Sequence, residues 1–352
     1  MLCGTDAGGV ANLAALVAPL RARGRQVVAL SSAAQAAAFE CADARLTDVI
    51  PGDADAVIDR FAPAAVICGT TRYASPDRSL IAAARSRAIR VTVVIDERYG
   101  YRQRFTDDLG EVETWPDAIT VLDAASVGEA VSEGVPLGVL HVTGSPALAR
   151  TVEQARAFAS DPPARPPWPP EGPPIVVFVS ETLAADYGTA PDAPGPMGSF
   201  VGYTEVTVLA ALREALDRLN IACTLVEKLH PSAPDPEEAG REPALRVRDV
   251  PLWPLMWHAH AVVGMRSIAL LDARLMGVPA LSYQPGLLGP ERCTAVRLGL
   301  ASTTRSADEA AEWVRTMLIP TVPVHRPPSE AFEFAPPDAA DRVIRVALAE
   351  PT

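Results

Sequence analysis

Residues 261–283 read AVVGMRSIALLDARLMGVPALSY, and the residue types follow the order strand, turn, helix, strand. Ala261 to Gly264 has the short apolar character of a buried strand. Ser267 stands where a helix N-cap is needed, and Ile268, Leu271 and Leu275 follow at helical spacing. Gly277 suits the C-terminal cap, Pro279 prevents continuation, and Ala280 to Tyr283 forms a second buried strand. A turn at the carboxyl end of a parallel strand, feeding a helix, presents free N–H groups and a positive dipole end. That is an anion site, above all for a pyrophosphate. Arg266 adds a permanent charge there, and Asp272, about one turn into the helix, is placed to hold ribose hydroxyls.

The same alternation runs outward in both directions. Val27 to Leu30, Ala65 to Cys68, Val91 to Ile95 and Ala118 to Leu122 read as buried strands, with helices over Ala11 to Arg23 and Ser79 to Arg87. Further on, Ile175 to Val179 is a strong strand, Thr204 to Leu219 a helix, and Thr224 to Glu227 another strand. Strands alternating with helices specify parallel sheets covered on both faces. The sharpest break is DPPARPPWPPEGPP, residues 161–174, whose proline density favours a stiff extended connector. The expected fold is therefore α/β, two doubly wound Rossmann-like domains facing a central cleft. The N-terminal domain is expected over 1–160 and the C-terminal domain over 175–352. Only Met1-Leu2-Cys3 is available for the first strand, so either that strand is very short or the sequence begins late within it.

Composition narrows the function classes. A chain of 352 residues is too long for one ordinary core, and 49% hydrophobic with 21% charged residues is a globular balance. No run approaches the ~20 apolar residues of a membrane span, and the N-terminus lacks the pattern of a secretory signal. Five scattered cysteines without CxxC spacing point to a reducing compartment and away from zinc. A net charge of −12 argues against broad nucleic-acid affinity. The expectation is a soluble cytoplasmic protein.

Three other segments carry candidate chemistry. Glu227-Lys228-Leu229-His230-Pro231 ends a strand, and Lys228 and His230, two residues apart, point the same way. Lys228 is the only lysine in an arginine-rich chain. An ammonium and an imidazole beside a phosphate suit charge neutralisation and proton transfer. Gly4 to Gly9, GTDAGG, carries Asp6, with Gly8 and Gly9 allowing close approach of a substrate to the backbone; it lacks the GxGxxG dinucleotide fingerprint. Asp96 and Glu97 follow the strand Val91 to Ile95, at the edge where α/β sheets bind ligands. The neighbouring Arg98, Tyr99, Tyr101, Arg102 and Arg104 either bind an anionic acceptor or balance these acids. The DxD of Asp53 and Asp55, the HxH of His258 and His260, and the Trp253–Trp257 pair read as loop, helix end and packing respectively. No metal site is expected.

These segments together resemble the two-domain GT-B superfamily of glycosyltransferases and its relative, UDP-N-acetylglucosamine 2-epimerase. The likeness is greatest to GT-B-like proteins of bacterial polysaccharide biosynthesis. VVGMRSIALLDARLMGVPALSY looks like the donor-binding turn and helix, where Asp272 stands at the ribose-binding acid. VTGSP (residues 142–146), EKLHP (227–231), GYTE (202–205) and VVIDERYGYRQRF (93–105) resemble further family segments. Three departures stand out: Asp272 is shorter than the usual glutamate, Arg266 replaces a small residue, and the glycine pair of the epimerase turn is missing. The resemblance, so weighted, implies a metal-independent glycosyltransferase without a cofactor, with a final helix near Ala339 to Ala349 crossing back to the N-terminal domain. It would move a sugar from a UDP-linked donor to a small-molecule or glycan acceptor. Arg266 and Ser267 would stabilise the leaving diphosphate, with Lys228 and His230 as a further phosphate or proton-transfer pair. Asp96 is the expected base, with Glu97 second and Asp6 the rival. The alternatives are a sugar-nucleotide 2-epimerase or hydrolase, and a non-catalytic nucleotide-sugar-binding subunit.

Overall fold

A computed structural model describes residues 1–31, 39, 53–70, 76–107, 110–112, 114–165, 173–230, 233, 245–319 and 332–350. It divides into two units, Met1–Glu153 with Glu330–Thr352, and Gln154–Ser329. The division falls inside a helix before the proline-rich stretch, of which residues 166–172 lie outside the described residues.

The first unit runs β1 (Leu2–Gly4), α1 (Ala7–Ala22), β2 (Ala29–Ser31), α2 (Ala54–Phe61), β3 (Ala65–Gly69), α3 (Pro76–Ser86) and β4 (Arg90–Val94). It continues with β5 (Ala118–Val121), α4 (Ala124–Ser132), β6 (Leu140–Val142) and α5 (Pro146–Ser160). Its strands form one parallel sheet in the order β2-β1-β3-β4-β5-β6. Alternation along each strand builds two cores. Cys3, Leu30, Val66, Cys68, Val91 and Val93 face Ile58 of α2, Leu80 of α3 and Ala130 of α4. Leu2, Ala29, Ile67 and Val94 point the other way, onto Val10, Leu13 and Leu16 of α1.

The second unit runs β7 (Ile175–Val179), α6 (Leu183–Tyr187), β8 (Gly188–Ala190), β9 (Ala193–Pro194), α7 (Glu205–Arg218), β10 (Thr224–Lys228) and β11 (Leu245–Val247). Then come α8 (Leu252–Trp257), β12 (Ala261–Gly264), α9 (Ala269–Leu275), β13 (Ala280–Tyr283), α10 (Thr294–Arg297), β14 (Ser302–Thr304) and α11 (Ala307–Met317). The last helix of the chain, α12 (Ala339–Leu348), belongs to the first unit, where Val343, Ile344 and Ala347 share the core of α1. The second sheet is also parallel, ordered β11-β10-β7-β12-β13-β14. Val176, Phe178, Val263 and Leu281 pack on Val208 and Leu212 of α7 and Val314 of α11. Among the described residues, no helix is long and apolar enough to cross a membrane.

Both sheets change winding direction beside their first strand. In the first unit the chain goes from β1 out to β2 and returns to β3 on the other side of β1. In the second it goes from β7 to β10 and β11, then returns to β12 on the other side of β7. Outside the carboxyl ends of such strand pairs the connecting loops separate and leave a crevice, the usual ligand site of an open α/β sheet.

Two local expectations need correction. The first helix starts at Ala7 rather than near Ala11, because Asp6 caps it: its Oδ1 accepts from Gly9 N–H at 2.8 Å. The two glycines therefore lie in a helical turn instead of a loop. In the second unit α9 begins at Ala269, and Ile268 rather than Ser267 is the N-cap residue. Ser267 Oγ accepts from Ala269 N–H at 3.2 Å.

Candidate functional site

The switch crevice of the first unit is lined by carboxylates. Asp6 lies two residues beyond β1, and Asp96 two residues beyond β4. A Cβ at Gly8 would overlap Asp96 Oδ2, and one at Gly9 would overlap Asp6 Oδ1. Each acid therefore rests on one of two adjacent glycines at the start of α1. Gly69, at the end of β3, comes so near that a Cβ there would sit 2.7 Å from the Gly9 Cα. The close approach that glycine permits is thus taken up by the protein's own carboxylates and backbone.

One buried cation serves this cluster. Arg104 is 1% exposed; its Nη1 lies 3.6 Å from Asp96 Oδ1 and its Nη2 lies 3.1 Å from Glu97 Oε2. The same guanidinium donates to the Thr70 carbonyl. Asp77, fully buried, accepts from the Cys3 thiol at 3.3 Å and the Thr5 hydroxyl at 3.4 Å. More negative groups than positive ones therefore share a dry space. Burial first, and then the charge of Asp6, push Asp96 up to about 7, with Arg104 opposing. Burial likewise pushes Asp6 up to about 6, against Arg104 and the Gly9 N–H. Like charges in low dielectric disfavour one another's ionisation, so burial and repulsion both act to raise these carboxyls. Asp96 still keeps 14% of its side chain exposed, so solvent and a ligand reach it.

Glu97 is differently employed. It accepts from Tyr99 Oη at 2.9 Å as well as from Arg104. The following loop is fastened to α4: Arg98 Nη2 bonds Glu129 at 2.8 Å, Tyr101 Oη donates to Glu129 at 3.3 Å, and Glu133 accepts from the Gly100 and Arg102 N–H groups. These polar groups largely balance and position one another. Ser145 of the VTGSP segment donates to Asn12 Oδ1 at 2.7 Å and ties that segment to α1.

In the second unit the crevice holds a residue that sequence reasoning missed. Glu181 lies two residues beyond β7, and Arg266 two beyond β12. Glu181 Oε1 accepts from the N–H groups of Arg266 at 2.8 Å and Ser267 at 3.0 Å, and Oε2 lies 3.6 Å from Arg266 Nε. The guanidinium stacks on Tyr187, 4.3 Å from the ring centroid. Burial pushes the Glu181 carboxyl up, with Arg266 the main opposing influence. Around this contact, Tyr203 Oη donates to Gln284 Oε1 at 2.6 Å, and Gln284 Nε2 donates to Glu291 at 2.9 Å. Gly202, with φ +102°, lies against the Gly286 carbonyl. Thr204 caps α7, and Glu205 accepts from the Ala184 N–H at 3.0 Å.

The remaining sequence candidates sit nearby or elsewhere. Lys228 ends β10, in register with Val179 of β7, and its Nζ donates to the Arg248 carbonyl. Burial lowers the Lys228 pKa, and burial with the Lys228 charge lowers that of His230 against Asp186. Pro231 lies outside the described residues. Asp272 is half-buried in the first turn of α9. Asp55 pairs with Arg87, and His258 Nε2 contacts the Pro163 carbonyl at 2.9 Å. Among the described residues no group of His, Cys, Asp and Glu is placed to hold a metal ion.

No family model and no curated protein matches the sequence. Solved structures do match, along the whole chain. UDP-GlcNAc 2-epimerase from Methanocaldococcus jannaschii, in complex with UDP-GlcNAc and UDP, is similar at 11% identity and TM-score 0.65, covering 98% of each chain. A putative UDP-N-acetylglucosamine 2-epimerase from Listeria monocytogenes matches at 13% identity and TM-score 0.65, covering 100% of this chain and 97% of the other. The chain has the GT-B fold. A glycotransferase of kitacinnamycin also matches, at 17% identity and TM-score 0.51, covering 99% of this chain and 94% of that one. At these identities the GT-B likeness concerns architecture, and the chemistry must be read from the side chains.

Proposed function

We propose that this GT-B protein acts on a UDP-linked hexosamine and inverts it at C2, as a sugar-nucleotide 2-epimerase. The observation that carries the reading is the placement of Asp96 and Asp6 against the adjacent Gly8 and Gly9 at the carboxyl edge of the sheet, where burial pushes both carboxyls up. The C2–H bond of such a sugar has no adjacent carbonyl to acidify it. Proton loss there requires simultaneous departure of the diphosphate from C1: the C–H pair forms a C1=C2 bond while the C1–O pair leaves with UDP. Re-addition of UDP and return of a proton to the opposite face give the epimer. Two neighbouring carboxyls raised toward neutrality suit the base and the acid that this cycle needs. A glycosyl transfer needs only the base.

The order of readings thus reverses relative to the sequence, where the missing glycine pair favoured transfer. Turn composition bears on how a phosphate is held, whereas the two carboxyls bear on what is done to the sugar. The structural likeness to UDP-GlcNAc 2-epimerases supports the same reading. Glycosyl transfer remains the second reading, since Asp96 is partly exposed at a strand end and a glycosyltransferase shares the fold. The assay is product analysis of UDP-GlcNAc incubated without acceptor, across pH. The expected result is the C2 epimer, with a bell-shaped turnover profile whose limbs fall near pH values of about 6 and about 7. No product without acceptor, and a rate rising on a single limb when one is supplied, favours glycosyl transfer.

A further inference from the structure

The turn that the nucleotide reading assigns to the diphosphate already holds an anion, and that anion belongs to the protein. Glu181 Oε1 accepts from the Arg266 and Ser267 N–H groups of the turn, at 2.8 and 3.0 Å, and Oε2 faces the Arg266 guanidinium. Its oxygen stands where a phosphate oxygen would be bound. The contact joins the carboxyl ends of β7 and β12, the two strands that bound the crevice, so it lies across the entrance rather than beside it. Glu181 and Arg266 retain only 13% and 10% side-chain exposure. A charge-assisted bond in such dry surroundings is strong enough to compete with a ligand.

We infer that Glu181 is an internal competitor for the nucleotide's phosphate: a nucleoside diphosphate binds the Arg266–Ser267 turn only by displacing the Glu181 carboxylate. This rests on the nucleotide-sugar reading above and adds the residue that sets affinity within it. Displacement leaves two N–H donors and a guanidinium already steadied on Tyr187, which together match one phosphate group. The charge of Glu205 already disfavours the ionised form of the Glu181 carboxyl. Occupied and empty states therefore differ by an exchange of anions on one fixed set of donors. The resident carboxylate weakens diphosphate affinity and keeps the crevice satisfied when no ligand is present.

The test is calorimetric titration of UDP into the full-length protein and its Glu181→Ala and Glu181→Gln variants, with thermal melts to verify folding. Removing the competitor should tighten UDP binding at least ~10-fold in Glu181→Ala, the equivalent of one charged hydrogen bond. Glu181→Gln, which keeps the shape but not the charge, should move the same way by less; it carries the test if the alanine variant does not fold. Unchanged or weaker UDP affinity in both variants would make Glu181 a brace for the turn and overturn the inference while leaving nucleotide binding intact. Absence of UDP binding in all three proteins would overturn the nucleotide reading itself, and the competitor with it.

Discussion

Asp96→Asn is expected to slow turnover at least ~100-fold, the usual cost of losing a general acid–base group. UDP affinity should stay within about twofold, because the diphosphate is assigned to the Arg266–Ser267 turn. The same substitution should stabilise the protein at alkaline pH, and the sign follows from linkage. The folded-state pKa of Asp96 is raised to about 7, above that of an unfolded aspartate at roughly 4. Folding therefore favours the protonated form, and the stability it contributes is present below pH ~4 and lost as pH rises to about 7. Asparagine mimics the neutral acid at every pH, so its advantage grows across that window. Melts at pH 5 and pH 8 should show the variant gaining on the wild type mainly at pH 8. Lower stability at both values would indicate that Asp96 is a structural partner of Arg104 rather than a group held against its own ionisation.

Arg104→Met is expected to destabilise the first unit by about 3–5 kcal/mol, the range for removing one partner of a buried charge network. Methionine roughly fills the volume of the guanidinium stem but removes the cation beside Asp96 and Glu97 and a donor to the Thr70 carbonyl. Arg104 lowers the pKa of both Asp6 and Asp96, so its loss should raise both further. The destabilisation should then be largest at pH 8, where the pair must ionise, and partly recovered at pH 5, where it protonates. Urea unfolding at the two pH values checks this. Equal loss at both would mean that the guanidinium acts by packing alone.

Much of the architecture was legible because a parallel strand buried on both faces writes an unbroken apolar run. Ile175 to Val179, Ala261 to Gly264 and Ala280 to Tyr283 were read at their observed limits. Short edge strands were not: β6 and β14 have three residues each and little burial, too few to register as a pattern. The start of α1 was obscured by Gly8 and Gly9, which disfavour helix intrinsically but are required here by the packing of Asp96, Asp6 and Gly69. Asp96 was found because an acid directly after a buried strand must emerge at the ligand edge. Glu181 obeys the same rule after β7 and was overlooked, since its partners Arg266 and Ser267 lie 85 and 86 residues away. The shift of Asp6 was equally invisible: it arises from burial and from charges carried on other loops, which no local spacing encodes.

The central claim is that the Asp6–Asp96 pair breaks and remakes a C–H bond at C2 of a UDP-linked hexosamine. Its most direct test is proton NMR of UDP-GlcNAc incubated with the protein in D2O. The account predicts deuterium at C2 in substrate and epimer with the wild type, and loss of that incorporation with Asp96→Asn. Conversion without deuterium at C2, or incorporation unchanged by Asp96→Asn, would contradict it.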